Sequence, residues 1–218
     1  MAILKLHGWS IATCTRRVAT VLHELKIPFE LVPVDVMAGD HKTPAHMEKQ
    51  PFGQIPYIDD DGFILYETRA ICRYLAAKYP QSGLIPTEPK ANALFEQAAS
   101  VELSNWDPSA SKAALEFMKK CAHPGFGWPY DQTVADEQLE ILDKKLEAYE
   151  VILSKQRYVA GDCFTLADLF YIPYAPLIGS GSDILMRRPN IARWYNELVA
   201  RPSWLAYEDG GVKTTTAY

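Results

Sequence analysis

Residues 50–71 read QPFGQIPYIDDDGFILYETRAI. Tyr57-Ile58-Asp59 and Phe63-Ile64-Leu65-Tyr66 are two β-rich runs around Asp61-Gly62, and an Asp-Gly pair between such runs is a strong short-range signal of a hairpin. Pro56 stands between a glycine-containing turn and the first run, a place where a cis peptide bond is often used to expose the preceding backbone. With Ile55–Pro56 cis, the N–H and C=O of Ile55 are left to pair with another peptide, as at a sheet edge. Glu67-Thr68 follows the second run at the start of a helix, where unpaired N–H groups suit a carboxylate and Thr68 can add a hydroxyl donor. Glu67 then suits the ammonium of the same ligand. Thr68 as a plain helix cap and Pro56 as a plain turn former are the structural alternatives.

Working outward, residues 3–7 (ILKLH) and 29–34 (FELVPV) are short strand-like runs. Between them Val18, Val21, Leu22 and Leu25 recur at helical spacing, which makes a β-α-β unit. Ile71, Tyr74, Leu75 and Lys78 mark a helix after the hairpin, so the order is β-α-β-loop-β-β-α in the first part of the chain. The stretch PQSGLIPTEPK at 80–90 interrupts every periodicity and reads as a linker. Beyond it strand patterns vanish. Helices are expected from Ala91 to about Lys120 and from Thr133 to Lys155, the latter with Leu139, Leu142, Leu146, Tyr149 and Leu153 spaced alternately by three and four. Thr165-Leu166-Ala167-Asp168 has the form of a capping box and reads as folding scaffold. Pro189 opens a last helix with Ile191, Trp194, Tyr195 and Leu198 on one face, and the tail from Ser203 is expected to be irregular. The fold class is α/β plus all-α: a first domain at 1–81, a linker at 82–90 and an all-helical domain at 91–218.

The chain has 218 residues, 48% of them hydrophobic and 22% charged, which is enough to bury a sizeable core. Its formal charge of −5 has the signs interleaved, which argues against nucleic acid or an anionic membrane as partner. No apolar run approaches the roughly 20 residues of a membrane span. Met1-Ala2-Ile3-Leu4 lacks the basic and apolar regions of a signal peptide, so a cytoplasmic location is expected. Cys14, Cys72, Cys121 and Cys163 are scattered, with no Cys-x-x-Cys pair; no metal site is expected, and all four are expected to be reduced.

The element order, the stretch HKTPAHMEKQPFGQIPYIDDDGFILYETRAICRYLA and the appended helical domain resemble a cytosolic glutathione transferase, most closely its phi class. The resemblance covers nearly the whole chain. It implies a thioredoxin-like first domain with a mixed four-stranded sheet that binds glutathione, a second domain that supplies most of a pocket for a hydrophobic electrophile, and a homodimer. It further implies that His41 and Lys42 receive the glycine carboxylate of glutathione, that Gln54 and the backbone of Ile55 hold the cysteinyl part beside cis Pro56, and that Glu67 and Thr68 hold the γ-glutamyl end. The family usually has serine at Thr68, and the hydroxyl is kept. Arg69 is expected to brace the site or the dimer interface.

The departure from the family lies at WSIATCTRR, residues 9–17. Phi enzymes place a serine at the start of the first helix to hydrogen-bond the glutathione sulfur, and Ala12 stands in that register. A free cysteine thiol has a pKa near 8.5 and reacts as the thiolate, so a donor is still needed. Thr13, next to the vacated position, is the first candidate, and Ser10, two residues earlier on the loop, is the second. Thr15 is expected to bond back to its own backbone. Cys14 would make a mixed disulfide with glutathione if it faced the sulfur, but it sits roughly 200° around the helix from Ala12, and core packing is expected for it. Trp9, Ile11, Trp106, Leu115 and Phe117 are candidates for the electrophile pocket, with 121–132 (CAHPGFGWPYDQ) as a loop over its mouth. The expected function is a glutathione transferase that conjugates the thiolate to hydrophobic electrophiles; the alternatives are a carrier of glutathione and hydrophobic ligands without fast chemistry and a thiol reductase dependent on Cys14.

Overall fold

The computed structural model describes residues 3–121, 129–207 and 210–218. Strand β1 (Leu4–Gly8) alternates buried Leu4 and Leu6 with exposed Lys5, the period-two pattern of a strand with one face on a core. Helix α1 (Thr13–Glu24) buries Val18, Val21 and Leu22, and β2 (Phe29–Pro33) pairs parallel with β1, Leu6 opposite Leu31. A parallel pair needs a crossover, and α1 supplies it. A short helix, α2 (Pro44–Lys49), is capped at its start by the Thr43 side chain.

Strands β3 (Tyr57–Asp60) and β4 (Phe63–Tyr66) form the expected hairpin, with Asp60 opposite Phe63. Asp61 and Gly62 lie at φ 56° and 90°, and the two positive φ values make the type I′ turn that Asp-Gly favours. The mixed sheet has the order β2-β1-β3-β4, with β1 and β3 antiparallel. Helix α3 (Thr68–Lys78) lies beside α1, and its Ile71 and Leu75 are fully enclosed together with Leu6, Phe29 and Ile58. Each enclosed side chain of this size stabilises the fold by about 1.5–3 kcal/mol.

The chain forms two compact units, Met1–Ile85 with Arg201–Tyr218, and Pro86–Ala200. The sequence reading runs the helical domain to 218, whereas Arg201–Tyr218 belongs to the first unit. Apolar periodicity carries no sign of this, because the tail is held by polar contacts: Phe29 and Thr215 exchange N–H···O bonds of 2.8 and 2.9 Å, and Arg201 and Ser203 donate to Glu24.

The second unit is helical. Helices α4 (Pro89–Val101) and α5 (Asp107–Cys121) are joined by a π-helical turn at Glu102–Trp106, where one unbroken helix is expected from sequence. Pro108 has no N–H and its ring crowds the carbonyl one turn back, and a wide turn relieves both. Helix α6 (Gln132–Leu153) buries Leu142, Leu146, Tyr149 and Leu153, as the spacing requires. Short α7 (Leu166–Leu169) and α8 (Ala175–Gly181) precede α9 (Pro189–Val199), whose Ile191, Trp194 and Leu198 are buried. The capping box at α7 is formed. Asp168, fully buried, accepts from the Thr165 N–H at 3.0 Å, the Val159 N–H at 3.1 Å and the Trp194 indole at 2.9 Å. A last short helix, α10 (Pro202–Leu205), stands in the first unit, where the sequence leads one to expect irregular chain.

Candidate active site

Ala12 is the N-cap of α1, extended at φ −68° and ψ 132°, and makes no side-chain cap. Its carbonyl accepts the Arg16 N–H at 3.0 Å, so the N–H groups of Thr13, Cys14 and Thr15 precede the first complete helical bond. Alanine has no oxygen to cover them, and this end of the helix carries partial positive charge. The loop before it is closed by the Ala12 N–H on the Trp9 carbonyl at 3.0 Å.

Ser10 and Thr13 are both half-buried, and neither hydroxyl makes a hydrogen bond among the described residues. Thr15 differs from expectation. It is completely buried, its hydroxyl has no partner among the described residues, and it does not bond back to its helix; a Cβ on Gly8 would lie 2.6 Å from the Thr15 Oγ1 and 3.3 Å from the Pro56 Cβ. Packing against β1 therefore sets this side chain. Thr20 is the threonine that bonds back, to the Arg16 carbonyl at 2.8 Å.

The Ile55–Pro56 peptide is cis. The residue before it is held at both ends: the Gln54 N–H donates to Gln50 Oε1 at 3.1 Å, and its carbonyl lies 2.8 Å from the ring nitrogen Nε2 of buried His46. The backbone N–H and C=O of Ile55 have no partner among the described residues. His41 and Lys42 lie in a 3₁₀ turn, Asp40–Lys42, that packs on this segment. Lys42 donates to the Phe52 carbonyl at 3.2 Å, and a Cβ on Gly53 would come within 2.8 Å of its ammonium. Burial, and then the neighbouring Lys42 charge, hold the His41 imidazole below its usual pKa, so it is neutral near pH 7.

Glu67, the N-cap of α3, is exposed and lies at φ 69°, a region that costs a residue with a side chain about 1–3 kcal/mol. Thr68 is buried, and its Oγ1 accepts from the guanidinium of Arg17 at 2.9 Å. An Arg donor occupies that oxygen's lone pair and leaves the Thr68 hydrogen to point elsewhere. Arg17 is 1% exposed, and its Nη1 lies 3.9 Å from the Cys14 sulfur. Cys14 is half-buried and outside any disulfide, so core packing holds for it only in part. Burial pushes the Cys72 thiol up to about 12, which keeps it protonated and inert.

His41, Lys42, Gln54, Ile55, Pro56, Glu67 and Thr68 thus all lie in the first unit, as do Trp9, Ser10, Ile11 and Thr13. The pocket residues assigned from the helical unit need correction. Trp106 and Phe117 are 0% and 2% exposed; the first packs on Tyr171 and the second against Ala113 and Ala135, because both fall on the inward stripe of their helix. They are core, and only Leu115 of that set is exposed. Residues 122–128 of the expected pocket loop lie outside the described residues. Gln50, His46 and Arg17 were not singled out from sequence; they act through polar contacts, to Gln54 four and eight positions away and to Thr68 51 positions away, which leave no periodic signal. Among the described residues no group of three or more His, Cys, Asp or Glu could hold a metal ion.

Residues 6–83 match the glutathione S-transferase N-terminal domain and residues 107–202 its C-terminal domain. The chain is 43% identical over 201 residues to glutathione S-transferase PM239X14 of Arabidopsis thaliana, covering 89% of this chain and 91% of that one. Among solved structures it is similar to glutathione transferase F7 from Populus trichocarpa, with a TM-score of 0.88, 38% identity and coverage of 94% and 97% of the two chains. It is also similar to glutathione S-transferase I from mais in complex with an atrazine glutathione conjugate, with a TM-score of 0.82, 33% identity and coverage of 94% and 96%. The fold and the site thus define a glutathione-using enzyme with a thioredoxin-like domain. The chain belongs to the glutathione S-transferase family, within its phi class.

Proposed function

We propose that the protein binds glutathione along the backbone of Ile55, with the sulfur at the opening turn of α1, and that the thiolate attacks an electrophilic carbon of a hydrophobic substrate. His41 and Lys42 take the glycine carboxylate, Gln54 and Ile55 the cysteinyl part beside Pro56, and Glu67 and Thr68 the γ-glutamyl end. The uncapped N-terminus of α1 carries this reading: it offers open N–H groups and partial positive charge to an anion where phi enzymes place a serine. The Thr13 hydroxyl is the first candidate to donate to the sulfur and Ser10 the second. Trp9, Ile11 and Leu115 are the remaining candidates for contact with the electrophile. Rate comes from lowering the thiol pKa and from holding the two reactants together.

Cys14 is half-buried, with its sulfur 3.9 Å from a guanidinium nitrogen of Arg17 in the first turn of α1, and this setting keeps thiol reduction through that cysteine as the second reading. Conjugation of a chlorinated nitrobenzene by the wild type and by Thr13→Ala, Ser10→Ala and Cys14→Ser tests the assignment. Loss in Thr13→Ala alone supports the first candidate. Loss confined to Cys14→Ser favours the reductase, and glutathione binding without any turnover favours the carrier.

The same reading includes a cytoplasmic homodimer. Cys14, Cys72 and Cys163 are all unpaired by disulfides, which suits a reducing compartment. Phe52 is 64% exposed on the turn before Pro56. The helical unit has a cavity of about 180 Å³ lined by Leu94, Val101, Ile152, Val159 and Tyr171. An exposed ring and an apolar-lined cavity are surfaces of the kind that a two-fold pair covers.

A further inference from the structure

We infer that Gly211 and Val212, at the far end of the sequence, are positioning residues for the loop that faces the glutathione sulfur. The inference rests on the placement of that sulfur at the opening turn of α1. The Val212 N–H donates to the carbonyl of Ser10 at 2.9 Å, and Gly211 donates to the Tyr207 carbonyl at 3.3 Å. Val212 is 2% exposed, so its bond to Ser10 is shielded from water. Gly211 lies at φ +100°, and a Cβ there would come 2.7 Å from the Ser10 carbonyl oxygen and 3.4 Å from the Ile11 side chain. Only glycine fits this approach, on both conformational and steric grounds.

The rest of the tail is anchored independently. Thr215 pairs with Phe29 on the edge of β2, the Leu31 N–H donates to Thr214 Oγ1 at 3.0 Å, and the Tyr218 hydroxyl lies 3.0 Å from His23 Nδ1. At the other end of α1, Glu24 accepts from Arg201 and from the Ser203 hydroxyl at 2.6 Å. The segment 201–218 therefore holds α1 at its C-terminal end and clasps the Trp9–Ala12 loop at its N-terminal end. Ser10 and Ile11 owe their direction to two backbone contacts with residues two hundred positions away. A donor aimed at a sulfur must be held to within a few tenths of an ångström, and loops do not do this alone.

The test compares Gly211→Ala with the wild type and with Lys213→Ala, an exposed tail residue that does not approach Ser10. The bound thiolate is followed by its ultraviolet absorbance against pH, and kcat and KM for glutathione are measured separately. In Gly211→Ala the thiol pKa is expected to rise by about one unit, roughly a three- to eightfold loss of thiolate at pH 7 from a bound pKa about one to two units below the free value. KM for glutathione should stay within about twofold, as for a change that spares ground-state binding. Lys213→Ala should match the wild type. A Gly211→Ala enzyme with unchanged thiol pKa and kcat overturns the inference. Should that variant not fold, exchange of the Val212 amide hydrogen in the wild type decides: added glutathione is expected to slow it, and unchanged exchange overturns the inference. A wild type that takes up no glutathione overturns the site reading and this inference with it, whereas normal wild-type behaviour beside an unaltered Gly211→Ala overturns this inference alone.

Discussion

Ala12 opens α1 with no side chain to close it, and the nearest hydroxyls, on Thr13 and Ser10, have no other hydrogen bond among the described residues. A hydrogen bond to a charged acceptor contributes about 1.5–3 kcal/mol. If Thr13 is the donor, Thr13→Ala lowers kcat/KM by about ten- to a hundredfold, Thr13→Ser restores most of it, and Thr13→Val behaves like alanine. Steady-state rates with a chlorinated nitrobenzene read this directly; equal rates in Thr13→Ala and the wild type would transfer the role to Ser10 or to the helix N–H groups alone. Thr68 invites a second substitution. Its hydroxyl oxygen already accepts from Arg17, so its hydrogen is available to a ligand carboxylate. Thr68→Val is expected to raise KM for glutathione about tenfold or more while leaving kcat at saturation close to the wild type, and a selective fall in kcat would contradict that role.

At the scale of elements, the hairpin and the capping box were legible because each is local. Asp61-Gly62 can supply two positive φ values cheaply, and Thr165 and Asp168 are three residues apart on one turn. The π-helical turn before Pro108 and the burial of Trp106 were not legible, since they depend on which helices lie alongside. Asp168 satisfies buried donors on three segments. Asp168→Ala strands the Val159 N–H and the Trp194 indole and should cost about 3–5 kcal/mol in the unfolding transition of the helical unit, read by urea titration. Asp60, next to the hairpin turn, gives an element-level pH dependence. Burial alone would raise its pKa, but hydrogen bonds from Lys78 and Tyr74 outweigh it and hold the carboxyl below its ordinary value. A folded pKa below the unfolded one adds stability above about pH 4, and that stability is lost as pH falls through the folded value. Asp60→Asn should therefore be less stable than the wild type near neutrality, and the gap should close on acidification. A gap that widened in acid would show the opposite sign.

For the whole molecule, the division into a βαβ-ββα part and a helical part could be read from where strand periodicity stops. The return of Arg201–Tyr218 to the first unit could not, because backbone pairing with Phe29 and Ser10 and single polar contacts such as Ser203 to Glu24 leave no periodic pattern. The site was legible as far as family motifs reach. His41, Lys42, Gln54, Ile55, Glu67 and Thr68 share the first unit, whereas the supports at Gln50, His46 and Arg17 are polar side-chain contacts that follow no helix or strand period. Assembly belongs to this scale as well. Phe52→Ala removes the exposed ring from the turn before Pro56 and should shift a dimer toward monomer in sedimentation velocity at micromolar concentration, with the fold of the monomer intact by circular dichroism. The claim on which the rest depends is that glutathione binds with its sulfur at the open end of α1 and ionises there without the usual serine. The pH titration of thiolate absorbance for glutathione bound to the wild-type protein tests it most directly: an apparent pKa about one to two units below the free thiol value near 8.5 is expected, and bound glutathione that titrates like the free thiol would contradict it.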